Sequence, residues 1–126
     1  MKDCLIVDDS KTIRRIVSSI MEGFEFQCRE AENGAIAREE CEKTMPDVIM
    51  LDWNMPVMSG IDFIQTLRTM ENGTAPRVIF CTTENDMSFV ERAMLAGCDE
   101  YIMKPFNREI VGLKLAQLGI IEEFVP

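Results

Sequence analysis

The chain has 126 residues, of which 47% are apolar, and a net charge of −9 with a pI near 4.5. That length supports one core and leaves no room for a second. An acidic field of this size repels nucleic acid and anionic membranes, and Arg14-Arg15 is the only basic pair to set against it. No apolar run reaches membrane-spanning length, and the apolar stretch near the start is too short for a signal peptide, so a cytoplasmic protein is expected. The five cysteines (4, 28, 41, 81 and 98) are odd in number, scattered and without Cys-x-x-Cys spacing, which argues against disulfide or zinc frameworks. Histidine is absent, and with it Ser-His or Cys-His catalysis, histidine metal ligands and a phosphohistidine on the chain itself.

In chain order, Cys4 to Val7 reads as a buried strand closed by Asp8 and Asp9. Ser10 or Asp9 can cap a helix with Ile13, Ile16, Val17 and Ile20 on one face, ended by Gly23. Phe24, Phe26 and Cys28 alternate with Glu25, Gln27 and Arg29, as in an edge strand with one wet face. Asn33 opens a second helix, closed by Met45-Pro46. Val48 to Leu51 forms a strand buried on both faces and ends at Asp52.

Pro56 and Gly60 force a turn, and Ser59 caps a third helix with Phe63, Ile64, Leu67 and Met70 inward. Glu71 to Pro76 is a polar loop. Val78 to Cys81 is another buried strand, ending at Thr82 and Thr83. Asp86 begins a helix with Val90, Ala93 and Met94 on one face, stopped by Gly97. Tyr101 to Met103 is a short last strand ending at Lys104-Pro105. Asn107 caps a final helix carrying Ile110, Val111, Leu113, Leu115 and Leu118, which Gly119 ends. Beyond it, Ile120, Ile121, Phe124 and Val125 stand at helical spacing and are expected to pack back on the body. Five strand–helix alternations predict an α/β fold, a parallel sheet covered by helices on both faces.

In a parallel sheet the strand ends carrying Asp8, Asp9, Asp52, Thr82 and Lys104 share one edge, where ligands bind in open α/β folds. Taken singly, each residue has a simpler reading as a cap, a strand end or a surface charge. Together they make a cluster. Carboxylates about 4 Å apart repel by on the order of 4 kcal/mol per pair at an effective dielectric near 20. Such a cluster must raise a pKa or hold a cation. Few oxygen ligands plus a phosphate suit Mg²⁺, while Lys104 and Thr82 offer a charge and a hydroxyl to a phosphoryl group. Asp52 would be the nucleophile of an acyl phosphate.

Asp8-Asp9, Asp52-Trp53-Asn54-Met55-Pro56, Thr82-Thr83-Glu84 and Tyr101 through Lys104-Pro105-Phe106 resemble the receiver domain of two-component response regulators. The similarity is greatest to the single-domain chemotaxis regulators and covers residues 3 to about 118, leaving a short apolar tail over 119–126. The resemblance implies a flavodoxin-like sheet of order 2-1-3-4-5 and a cis bond at Lys104-Pro105. It implies that Asp52 accepts phosphate from a sensor histidine kinase, with Mg²⁺ held by Asp9, Asp52 and the backbone carbonyl of Asn54, and by Asp8 through water. Thr82 and Lys104 would contact the phosphoryl group, Thr82 and Tyr101 would form the switch, and Asn54 and Glu84 would tune dephosphorylation. Spacing from Asp52 and to Lys104 favours Thr82 over Thr83.

The expected protein is a monomer that phosphorylates itself from phosphodonors and dephosphorylates itself without being a metabolic enzyme. Its output would be contact with a flagellar motor switch protein or another downstream protein, with a phosphatase as a further partner. The alternatives are a phosphate sink or a phosphorelay shuttle. A metabolite phosphatase would need an acid/base carboxylate where Asn54 stands. A flavodoxin-like electron carrier would need a phosphate loop where Asp8-Asp9-Ser10 stands.

Overall fold

A computed structural model of the protein describes residues 2–53, 55, 57–83 and 87–125, the side chains of 87 and 89 apart. Five strands and five helices alternate: β1 (Lys2–Val7), α1 (Lys11–Glu22), β2 (Phe26–Ala31), α2 (Gly34–Lys43), β3 (Val48–Asp52), α3 (Gly60–Thr69), β4 (Arg77–Thr82), α4 (Met87–Ala96), β5 (Glu100–Met103) and α5 (Arg108–Gln117). The strands form one parallel sheet of order β2-β1-β3-β4-β5, as expected, with β2 at an edge.

Strand pleating divides the core in two. Leu5, Val7, Ile49, Leu51, Val78 and Phe80 face α2, α3 and α4, where they meet Ala37, Cys41, Phe63, Ile64, Leu67 and Ala93. Their neighbours Cys4, Ile6, Val48, Met50, Ile79 and Cys81 face α1 and α5, against Val17, Met21, Val111 and Leu115. Period-2 alternation thus serves both faces of strands that read in sequence as unbroken apolar runs.

The helix starts follow their caps. The N–H of Ile13 donates to Ser10 Oγ, that of Ile36 to Asn33 Oδ1, that of Asp62 to Ser59 Oγ and that of Ile110 to Asn107 Oδ1. Ser10, not Asp9, therefore caps α1, and the expected start of a helix at Asp86 lies outside the described residues. Helix faces are where the expectation departs. In α1 the buried residues are Val17, Ser18 and Met21, while Ile16 is 51% exposed. Met94 in α4, expected on the face of Val90 and Ala93, and Leu113, one of the apolar residues that α5 carries, are 42% and 47% exposed.

The second strand starts at Phe26 rather than Phe24, because Glu25 sits at φ 68 and breaks the extended backbone. Its outer face is not simply wet: Arg29 bridges Asp3 at 2.6 Å and Glu40 at 3.2 Å. Residues 120–125 are not helical. They fold back all the same, with Ile120 buried, Phe124 edge-on to Phe24 at 5.6 Å, and Val125 exposed. The Lys104-Pro105 bond is cis.

Candidate functional site: an acidic cluster at the carboxyl edge

Register brings the site together. Val7 pairs with Leu51, so Asp8 and Asp52, one residue on, emerge at the same level of adjacent strands. Asp52 pairs with Cys81, and Thr82 with Met103, which places Thr82 and then Lys104 along the same rim. The N–H of Lys104 donates to the Thr82 carbonyl at 2.7 Å, fixing the lysine's backbone. Its ammonium then reaches back across the sheet, 2.9 Å from Asp52 Oδ1 and 3.0 Å from Asp8 Oδ2.

Asp8 is the buried member of the acidic pair at 4% exposure, whereas Asp9 is exposed. Asp8 Oδ1 accepts from the Ser10 N–H at 2.9 Å, and Arg14 donates to the Asp8 carbonyl at 2.8 Å. Asp52 is 9% exposed and Thr82 3%, while Thr83 is exposed. Carboxylate oxygens of Asp8, Asp9 and Asp52 lie within 4.8 Å of one another. Asn54 and Glu84 lie outside the described residues. Tyr101 stands apart from the cluster, paired with Phe80 on the α2–α4 face, with the Lys114 ammonium 5.7 Å from its ring centroid.

The electrostatics follow from burial and charge count. Burial pushes the Asp52 carboxyl above its ordinary range; Asp8 and Asp9 add to the rise and the Lys104 hydrogen bond opposes it. Burial alone would lower the Lys104 ammonium, but Asp52 and Asp8 outweigh it and hold the group charged. Cys81, the register partner of Asp52 on β4, has a thiol pushed up to about 12 by burial and stays neutral. Among the described residues, three carboxylates against one ammonium leave negative charge uncompensated, and every donor is a hard oxygen. This donor set fits Mg²⁺, and thiols contribute nothing to it.

Several contributors were not legible in the sequence. Trp53 packs edge-on to Phe80 at 5.1 Å, with the Arg92 guanidinium 5.5 Å from its ring centroid, so α4 touches the residue after Asp52. A groove of about 380 Å³ opens beside Lys104, lined mainly by Ile13, Ile16, Pro105 and Phe106. Its only sequence signal was an apolar stripe on the first helix wider than the core needs.

A five-stranded parallel sheet of this order with an Asp-Asp, Asp, Thr and Lys rim defines a receiver-type site. The chain belongs to the family described as the response regulator receiver domain, which matches residues 4–115. It is similar to the chemotaxis protein CheY1 of Helicobacter pylori, 35% identical over 113 residues that cover 88% of this chain and 91% of that one. It is also similar to the chemotaxis protein CheY-3 of Vibrio cholerae, 36% identical over 115 residues, 90% of this chain and 88% of that one. Among solved structures, chemotaxis protein CheY4 of Vibrio cholerae superposes with a TM-score of 0.86 at 32% identity, over 94% of this chain and 98% of that one. The family is one of response regulators and not of metabolic enzymes. Among the described residues no helix is long and apolar enough to cross a membrane.

Proposed function

We propose that the protein is a single-domain response regulator whose Asp52 accepts a phosphoryl group from a phosphohistidine on a sensor kinase. One observation carries the reading: Lys104 bridges Asp52 and Asp8 inside a three-carboxylate cluster. A structural ion pair would need one carboxylate per lysine; this rim spends three.

In this reading Asp52 attacks phosphorus through the oxygen that Lys104 does not hold. The bond from phosphorus to the donor imidazole nitrogen breaks as the bond to Asp52 forms, and the imidazole, already protonated on its other ring nitrogen, departs as the neutral ring. Lys104 then neutralises a phosphoryl oxygen, and the Thr82 hydroxyl donates to another. Asp9 and Asp52 would hold Mg²⁺ directly, Asp8 through water and Asn54 through its carbonyl. The ion, when bound, neutralises charge on the transferring oxygens. Asp8, gripped by Ser10 and Arg14, keeps its carboxylate aimed inward for that task. Asn54 and Glu84 would set how readily water reaches the acyl phosphate. The groove beside Lys104 would seat the donor's helix, which must bring its imidazole to Asp52.

The output would be protein contact. Tyr101 is flanked by α4 and α5, which expose Met94, Leu95, Ile110 and Leu113. The chemotaxis names of the relatives favour a flagellar motor switch protein as partner over a phosphate sink or a phosphorelay shuttle. A reducing cytoplasm agrees with five free thiols. Acetyl phosphate with Mg²⁺ should add one phosphoryl group to the protein, detected by intact mass. Asp52→Asn or EDTA should abolish the addition. Full labelling of Asp52→Asn would overturn the assignment.

A further inference from the structure

Away from the acidic rim, Cys4 and Cys28 are register partners on the neighbouring strands β1 and β2. Both belong to the α1–α5 side, Cys4 inside the core and Cys28 packed against it. Adjacent strands run about 4.7–4.9 Å apart, within the roughly 4.4–6.8 Å Cα separation that disulfides span.

The two thiols differ in access. Cys4 is fully buried. Cys28 is half-buried on the edge strand and lines an open groove of about 410 Å³ with Ser18, Glu22, Phe26, Gln27 and Glu30. The Cys28 thiol donates to the Ser18 carbonyl at 3.7 Å. The Ser18 hydroxyl is buried and has no hydrogen-bond partner among the described residues, in a place where a buried hydroxyl normally finds one.

Reactivity separates Cys28 from the other four cysteines. Its contact with Cys4 lowers its thiol pKa, against burial and the charges of Glu22, Asp3 and Glu30. Burial pushes Cys4 well up, Cys41 up to about 11, and Cys81 and Cys98 up to about 12. A thiol that ionises more readily and opens to solvent is the one oxidants find.

We propose that Cys28 and Cys4 form a hydroperoxide-responsive pair, Cys28 the thiol that reacts with the oxidant and Cys4 the resolving one, closing a reversible disulfide between β1 and β2. The Cys28 thiolate attacks the distal oxygen of a hydroperoxide. The O–O bond breaks, the alkoxide or hydroxide leaves and takes a proton, and Cys28 becomes a sulfenic acid. Its oxygen gives the Ser18 hydroxyl an acceptor. The Cys4 sulfur then attacks the Cys28 sulfur, and the S–O bond breaks. The hydroxide departs with the Cys4 proton as water. Two thiols and one hydroperoxide thus yield a disulfide, one water and one alcohol (or a second water). The bond draws the two Cβ atoms in to about 3.8 Å, closer than parallel pairing holds them, so it is strained and readily reduced.

The test treats the full chain with hydrogen peroxide, alkylates remaining thiols in denaturant and maps the peptides. Two of the five thiols should be protected, in one peptide linking Cys4 to Cys28, and dithiothreitol should release both. Cys28→Ser should leave every other thiol alkylatable. Cys4→Ala should leave Cys28 as a sulfenic acid that dimedone captures. If Cys4→Ala does not fold, the map of the unaltered protein decides alone. Protection spread over several cysteines, dimers linked through Cys28, or Cys28 carried to sulfinic acid while Cys4 stays alkylatable would each overturn the pair. So would no oxidation at peroxide concentrations that oxidise free cysteine.

Discussion

A β-carbon on Gly60 would sit 2.7 Å from the carbonyl oxygen of Asp52 and 3.2 Å from Cζ of Phe80. Gly60 is thus the point where α3 presses against the back of the acidic rim, and its N–H donates to the Trp53 carbonyl at 3.2 Å. The space is closed by backbone, which cannot swing aside as a side chain can. Gly60→Ala should therefore cost about 1–3 kcal/mol despite alanine's better helix propensity. Urea denaturation measures it. The rate of acetyl phosphate labelling should fall as well, because Asp52 is displaced. A variant as stable as the parent would show that α3 can shift without disturbing the rim.

Asp52 gives a pH dependence of definite sign. Burial and the neighbouring carboxylates raise its folded pKa, so the folded chain binds this proton more tightly than the unfolded one. Stability is then lost as pH rises from the ordinary Asp value of about 3.9 through the raised folded value, and the loss persists above it. Asp52→Asn removes that cost while Asp8 remains to pair with Lys104. The variant should be more stable than the parent near pH 7 and equal to it near pH 3 in urea titrations. Saturating Mg²⁺ should narrow the gap from the other side, stabilising the parent by about 2.7 kcal/mol at a hundredfold excess over its Kd. A variant less stable than the parent at neutral pH would mean that the Lys104 attraction exceeds the burial cost.

The tail offers a sign reversal. A β-carbon on Gly112 in α5 would lie 2.5 Å from Cδ1 of Phe124, whose ring also meets Phe24 and lies 5.4 Å from the Arg108 guanidinium. Gly112→Ala should destabilise the parent by lifting the ring. In a Phe124→Ala background the same change should stabilise by up to about 1 kcal/mol, the helix propensity of alanine over glycine. Thermal or urea denaturation of the four proteins closes the cycle. Additive effects would show that the tail does not depend on the glycine.

Thr82 and Tyr101 share a sheet face, since Thr82 is two residues beyond Phe80, the register partner of Tyr101. If a phosphoryl group draws the Thr82 hydroxyl toward Asp52, Tyr101 gains the vacated space. Tyr101 is the only tyrosine, so fluorotyrosine labelling gives a single ¹⁹F resonance to follow. Beryllofluoride with Mg²⁺ should shift that resonance in the parent. Thr82→Ala should still bind beryllofluoride and lose most of the shift, the coupling being about 1–3 kcal/mol. An undiminished shift in Thr82→Ala would route the coupling elsewhere, with the Trp53–Arg92 contact the next candidate.

Element order, the five helix–strand alternations and the identity of the rim residues were all legible in the amino-acid sequence. The reason is local: apolar runs bounded by Ser10, Asn33, Ser59 and Asn107 name their own ends, and parallel strands must put their carboxyl ends on one edge. The inward helix faces were largely legible, with Val17, Phe63, Leu67, Val90 and Leu115 all buried, but where each face stops was not, because Ile16, Met94 and Leu113 belong to apolar stripes wider than the surface available to them. Only the sheet against which each helix packs decides which part of the stripe is covered. Residue type did not say which of the adjacent aspartates is buried; only the resemblance gave them different parts. Register with β3 buries Asp8 against Lys104 and leaves Asp9 exposed at the rim, its carboxylate still within 4.8 Å of the other two. The tail's path, the Gly60 contact with Phe80 and the Cys4–Cys28 pairing likewise join residues that no local pattern links. Short-range chemistry writes the elements; the distances between their side chains exist only once the sheet is assembled.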